Sequence, residues 1–227
     1  MKKLNLKTKI TSMYLAKTAV LSVLSFVLYA FAKFPLPFMF PSFLDMQFSE
    51  LPALLAGFAM GPLSGCIVIV IRCLLKMTMT TTGFVGELTD LVLGLSFVLP
   101  ASLIYKYRKS KKSAIVALGV GTVCSIVVSV VLNRFVSIPF YVSVFFDGNW
   151  NILLNMVRPL YPNITKQNFY TYYLLAAVVP FNILRSGITA LLTFLLYKKL
   201  SRILHWEMPK SRPAQTEGEN QLPTGKD

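Results

Sequence analysis

Residues 113–132 read SAIVALGVGTVCSIVVSVVL, twenty positions without a charge, entered from the basic loop 106–112 with Lys106, Arg108, Lys109, Lys111 and Lys112. A helix of about 20 mostly apolar residues is what crosses a hydrocarbon core of roughly 30 Å, where no water satisfies the backbone. The stretch therefore reads as a membrane helix over 113–138, closed by Pro139. Comparable runs flank it, at 10–32, 50–61, 63–79, 86–105 and 172–197. The 227-residue chain is 55% hydrophobic and only 14% charged, with a mean hydropathy of +0.61. The fold class expected is an all-α integral membrane protein: a bundle of six transmembrane helices with N- and C-termini cytoplasmic. Residues 1–206 form the membrane domain, and 207–227, rich in Pro, Gly, Gln and Lys, a disordered polar cytoplasmic tail.

The formal net charge of +14 does not mark a nucleic-acid binder, because the basic residues do not interleave with aromatics on one face. They gather at the start (Lys2, Lys3, Lys7, Lys9), in the 106–112 loop and after the last apolar run (Lys198, Lys199, Arg202). Cytoplasmic loops collect Lys and Arg, and six crossings put all three clusters on one side. Pro35 and Pro37 end the first helix, which lacks a small-residue cleavage site and reads as retained. The segment 34–49, with three prolines and several aromatics, reads as an extracellular, partly buried loop. Trp150 to Val157 reads as an interfacial helix, and Tyr161, Tyr170, Tyr172 and Tyr173 as an aromatic belt. Cys66, Cys73 and Cys124 form no CxxC pair and read as apolar packing. No internal repeat is visible.

Ionisable groups inside spans mark function or pairing. The candidates are Glu50, Arg72, Glu87, Asp90, Arg134 and Arg185. Glu87 and Asp90 share one helix face, Arg72 and Lys76 another, so the two faces can neutralise each other between the third and fourth helices. Asn182 and Arg185, three apart behind Pro180, form a polar patch to which Asn133 can add. An amide beside a guanidinium suits a planar ligand with alternating carbonyls and N–H groups; helix-to-helix hydrogen bonding accounts for the same residues equally well. His205 is the sole histidine, so neither a histidine metal site nor a Ser-His-Asp arrangement is available, and no metal or cofactor is expected. The G-x-x-x-x-G-K-[ST] pattern is absent, so the chain does not drive transport with ATP by itself. Asn163-Ile164-Thr165 matches a glycosylation sequon, a pattern short enough to arise by chance.

Taken together, Phe48-Ser49-Glu50-Leu51-Pro52-Ala53-Leu54-Leu55, Gly61-Pro62-Leu63-Ser64-Gly65, Thr82-Gly83 with Gly86-Glu87-Leu88, and Pro180-Phe181-Asn182 resemble the riboflavin-specific S components of energy-coupling-factor (ECF) transporters, collinearly over almost the whole membrane part. The resemblance implies a multi-pass protein of the bacterial plasma membrane that binds riboflavin from outside with high affinity. It implies partnership with an ECF module of one membrane coupling subunit and two ATPases. The loop after the first helix would cap the site, with Leu44, Asp45 and Gln47 against the ribityl chain or ring and Glu50 close by. Asn133, Asn182 and Arg185 would face the polar edge of the ring, and Gly86 would let the ring approach the backbone. Ser12, Ala16, Ala19 and Val23 only partly keep the small-residue face that docks the coupling subunit through helix 1. Arg185 stands where family members commonly carry Lys, Gln47-Phe48-Ser49-Glu50 where Asp-Phe-Ser-Asp is familiar, and Asp90 where Asn is frequent.

The function expected is that of a substrate-binding subunit for riboflavin uptake, and not an enzyme. Alternatives are an S component for another vitamin or flavin (FMN, roseoflavin, thiamine) and a non-transporting membrane scaffold. A cationic vitamin such as thiamine calls for carboxylates facing the site and an anionic one such as biotin for several cations, whereas Asn133, Asn182 and Arg185 favour a neutral heterocycle.

Overall fold

The computed structural model describes residues 11–204, with side chains as far as Tyr197; the tail expected over 207–227, His205 and the leading basic cluster lie outside the described residues. Among the described residues the chain forms α1 (Ser12–Phe31), a two-stranded hairpin of β1 (Lys33–Pro35) and β2 (Asp45–Gln47), α2 (Glu50–Met60), α3 (Pro62–Met77) and α4 (Val85–Tyr107). A long α5 (Lys111–Phe145), a short α6 (Trp150–Val157) and α7, which starts at Phe169 and continues through Val179–Leu204, complete it. Four of these, α1, α4, α5 and α7, are long and apolar enough to cross a membrane.

α1 is inside out. Thr18, Ser22 and Ser25 are buried with Tyr14, Leu21 and Tyr29, while Leu15, Val20, Val23, Leu24 and Phe31 are exposed. The inward hydroxyls are satisfied: Thr18 and Ser22 donate to the carbonyls four residues back, Thr18 Oγ1 lies 3.0 Å from Ser64 Oγ on α3, and Ser25 donates to the Ser49 carbonyl at 2.6 Å. α5 likewise turns Val116, Val123, Val127 and Val131 outward. So much exposed apolar surface requires lipid, and the chain is a multi-pass membrane protein.

α2 stands at the centre, packed on α1, α3, α4 and α7. Eight consecutive residues, Pro52 to Ala59, are buried, as expected of a helix that is apolar all round. Gly61, at φ +106°, reverses the chain into α3, which opens with Pro62 at its first turn. The two helices then approach closely: a Cβ on Gly65 would lie 2.9 Å from the Ala53 carbonyl oxygen and 3.2 Å from Gly57 Cα. Small residues let backbones meet where lipid supplies no hydrophobic drive between helices.

Two expectations need correction. The segment 34–49 is not plain loop: Lys33↔Gln47, Phe34↔Met46 and Pro35↔Asp45 pair antiparallel, and Met46, 2% exposed, is buried beneath it. Pro139 does not end the fifth helix. The chain runs on to Phe145 through π-turns at Asn133–Ser137 and Tyr141–Phe145. Proline removes a donor and crowds the preceding turn; widening that turn, so that the Ile138 N–H bonds the Asn133 carbonyl five residues back, carries the helix past it. Pro180 is passed the same way, by a π-turn at Tyr173–Val178 in which the Val179 N–H bonds the Leu174 carbonyl. The carbonyl four residues before Pro180, on Ala176, accepts from Tyr161 Oη at 2.9 Å. Burial pushes the Tyr161 phenol above its ordinary pKa, which keeps that donor protonated.

Candidate functional site

A cavity of about 220 Å³ lies at the end of the bundle where α1 and α5 finish and α4 and α7 begin, opposite the basic α4–α5 turn. Four parts of the chain wall it. The hairpin region contributes Lys33, Phe43, Leu44, Asp45 and Gln47; α4 and the loop before it give Thr81, Thr82, Gly86, Glu87, Thr89, Asp90 and Leu93. α5 contributes Ser129, Asn133, Ser137, Ile138 and Tyr141, and α7 Tyr173, Phe181, Asn182 and Arg185, with Tyr29 and Lys76 at the side. Both π-turns that pass the prolines supply wall residues, Asn133 and Ser137 from one and Tyr173 from the other.

Of the residues expected at a binding site, Leu44, Asp45, Gln47, Gly86, Asn133, Asn182 and Arg185 all line this cavity. Glu50 does not. It is 1% exposed and ion-paired to Arg185, because it opens α2 at the core of the bundle and sits behind the wall. Gly86 has a local duty: a Cβ there would lie 2.6 Å from Thr82 Oγ1, the atom that accepts from the Gly86 N–H and donates to Glu87 at 2.6 Å.

The floor is a buried charge network in which Glu50 Oε2 and Arg72 Nε are left without hydrogen-bond partners among the described residues. Arg72 donates to Asp90 Oδ2 at 2.8 Å and to Ser49 Oγ at 2.7 Å; Arg185 pairs with Glu50 and reaches Asp90 Oδ1 at 3.3 Å. Two cations and two carboxylates cancel. Burying charge is costly unless each partner is present, and here the bonds run from β2 across α3, α4, α2 and α7. The expected pairing of the third and fourth helices thus holds for Arg72 with Asp90. Glu87 is used otherwise, accepting from Thr80 and Thr82 hydroxyls at 2.9 and 2.6 Å, and Lys76 donates to the Met79 carbonyl and lies over the Tyr29 ring. Arg134, grouped with these by sequence, is absent from the cavity and stacks on Tyr170 at 3.8 Å.

Above the floor, the amides are oriented by hydroxyls. Asn182 Nδ2 donates to Ser129 Oγ (2.9 Å) and to the Val178 carbonyl (2.8 Å); Asn133 Nδ2 donates to the Ser129 carbonyl (2.9 Å), and its Oδ1 accepts from Tyr173 Oη (2.9 Å). Tyr173 also stacks on Phe169, packs against Phe43, and Phe40 meets Phe181 edge-on. The site is a flat-sided apolar slot with a few fixed polar groups, the usual make-up of a small-molecule pocket. Lys33 is paired with Asp45 at 2.9 Å and Arg185 with two carboxylates, while Lys76 holds the Met79 carbonyl and the Tyr29 ring; Lys33, Lys76 and Arg185 stand against Asp45, Glu87 and Asp90 in the lining, a balance suited to an uncharged ligand.

Sequence reading missed the aromatic wall, Tyr29, Phe43, Tyr141, Tyr173 and Phe181, and the hydroxyl of Ser129. A signal for the last existed: Ser125, Ser129 and Asn133 recur every four residues on an otherwise apolar helix, and all three are buried.

An α-helical membrane bundle with an aromatic-walled cavity carrying a few fixed polar groups has the make-up of a small-molecule binder or carrier. The chain belongs to the family described as ECF transporter, substrate-specific component, whose model matches residues 13–197. Its members are transporter components and not enzymes. It is 33% identical over 186 residues to the riboflavin transporter RibU of Staphylococcus aureus (strain TCH60), covering 82% of this chain and 89% of that protein. It is 26% identical over 189 residues to the riboflavin transporter FmnP of Bacillus subtilis (strain 168), covering 82% and 90%. A solved S component of a bacterial ECF transporter superposes with a TM-score of 0.63 at 32% identity, covering 85% of this chain and 98% of that one.

Proposed function

We propose that this protein is the riboflavin-binding S component of an ECF uptake system in the bacterial plasma membrane. The observation that carries the reading is that seven residues distant in sequence, Leu44, Asp45, Gln47, Gly86, Asn133, Asn182 and Arg185, converge on one cavity, in a chain related to proteins named riboflavin transporters. The isoalloxazine is an uncharged plane with one uracil-like edge. Tyr173, Phe43 and Phe181 offer it flat apolar surface, Asn182 and Asn133 meet its polar edge, and the charge network holds Arg185 in place. Leu44 and Asp45 on the hairpin side close over the ligand.

In this reading α2 and α3 also cross the membrane, packed as a pair; at about 1.5 Å per residue they span some 17 and 24 Å, and the bilayer thins around them. That gives six crossings with both termini cytoplasmic. The ATP-driven module of one membrane coupling subunit and two ATPases docks partly on α1, whose Ser12, Ala16, Ala19 and Val23 are exposed. Transport is reorientation of the loaded subunit when its partner changes shape.

The test is titration of detergent-purified, ligand-stripped protein with riboflavin, followed by flavin fluorescence. Saturable quenching at about one flavin per chain, unaffected by thiamine or biotin, is expected, with weaker binding by Asn182→Ala and Arg185→Ala. Folded protein that leaves riboflavin fluorescence unchanged refutes the proposal; unchanged affinity in both variants refutes the site.

A further inference from the structure

We infer that Gln47 determines specificity in this cavity: its side-chain carbonyl is held as a fixed hydrogen-bond acceptor that demands an O–H or N–H donor from the ligand. The inference rests on the cavity being the flavin site.

Gln47 ends β2 and lines the cavity while being only 6% exposed. Its Oε1 is buried and has no hydrogen-bond partner in the protein. Its Nε2 donates to Asp90 Oδ1 at 2.8 Å. Asp90 in turn is gripped from both sides, by Arg72 at 2.8 Å and Arg185 at 3.3 Å. Both Asp90 oxygens already accept from guanidinium N–H groups and so present acceptors to Gln47. The amide therefore cannot flip, because turning Oε1 toward Asp90 would face two acceptors. What remains unpaired on this cavity-lining side chain is the oxygen.

A buried carbonyl without a donor is costly to leave unpaired. A ligand that supplies the donor removes that cost, and one that lacks it meets an unsatisfied group, the situation in which sites discriminate most strongly. Asn182 points the same way, having committed both amide hydrogens to Ser129 and Val178. These amides offer acceptors, so the ligand must bring donors. Riboflavin has two kinds, the imide N–H of its ring and the hydroxyls of its side chain.

The experiment compares riboflavin, 3-methylriboflavin (no imide N–H) and lumiflavin (no side-chain hydroxyls) on the stripped full-length protein and on Gln47→Met, which keeps the length of the side chain without its acceptor. Gln47→Met is expected to bind riboflavin about tenfold more weakly, the loss of one buried hydrogen bond, and to bind one of the two analogues as well as the wild type does. The analogue that is spared names the donor. Equal weakening for all three ligands assigns Gln47 a purely structural role and overturns the inference, as does no weakening at all. If Gln47→Met does not fold, the wild type decides: equal affinity for the three flavins overturns the inference, and a loss of about tenfold for one analogue sustains it. Wild-type protein that binds no flavin refutes the flavin reading and this inference with it, whereas riboflavin binding with an unaffected Gln47→Met refutes the inference alone.

Discussion

The two ends of the bundle solve opposite problems. At the cavity end, Arg72, Arg185, Glu50 and Asp90 are buried among amides and hydroxyls, the two longest helices widen into π-turns, and a hairpin folds over the top. At the other end, Phe58 stacks on Tyr105 at 4.4 Å and both meet Tyr197 edge-on, around helices of ordinary pitch. Apolar packing tolerates small imperfections, because each contact is worth little by itself. A buried polar network does not, since removing one member strands the others in a low-dielectric interior. The cavity end should therefore be brittle to single substitutions and the aromatic end forgiving.

The sharpest way to break that contrast is Asp90→Ala. It strands Arg72, half of the partners of Arg185, and Gln47, and is expected to destabilise the protein by about 3–5 kcal/mol, read as a large fall in the detergent unfolding temperature. A shift within measurement error would mean that water enters the floor and takes the place of the lost carboxylate. Gly65→Val, where α3 meets α2, tests close packing instead; the added methyls collide with backbone, and a loss of about 1–3 kcal/mol is expected. If it exceeds the Asp90 variant, the contrast between charge and packing is reversed. Tyr161→Phe removes only the hydroxyl that caps the Ala176 carbonyl released by Pro180. The expected loss is about 1 kcal/mol, and an unchanged unfolding temperature would show that the π-turn needs no external donor. Lys33→Ala, breaking a pair with side chains 43% and 33% exposed, should alter stability by no more than about 0.5 kcal/mol; a larger drop would make the hairpin pair part of the network below.

The departures from the family pattern also look different once the floor is visible. Gln47 and Asp90, each a departure when read along the chain, are hydrogen-bonded to each other. Arg185 reaches both Glu50 and Asp90 through a single guanidinium nitrogen, Nη2.

Much of the fold was legible in the sequence because a bilayer imposes length and composition on every span. The apolar runs became α1 to α4 within two residues at each end, while α5 and α7 each run seven residues past their expected ends, and Trp150–Val157 is a helix with those bounds. Pro139 misled because a proline announces only that one donor is missing; whether the helix stops or widens depends on what packs around it, here Leu153, Leu154 and Val157 of α6 and Phe169 and Tyr173 of α7, buried in one cluster with Ile138 and Val142. The hairpin was invisible because its strands are three residues each, too short for any alternation to register.

By itself the sequence determined that this chain is a membrane bundle, which charges lie inside it, and which residues are candidates for a polar site, since hydropathy and residue chemistry are local properties. Tertiary structure alone decided which carboxylate meets which arginine, that Glu50 stands behind the wall while Asp90 forms it, and that the Gln47 amide has one committed face and one free. Those outcomes depend on distances of a few ångströms between residues as far apart as 50 and 185, and such distances are set by how the helices pack, which no local pattern encodes.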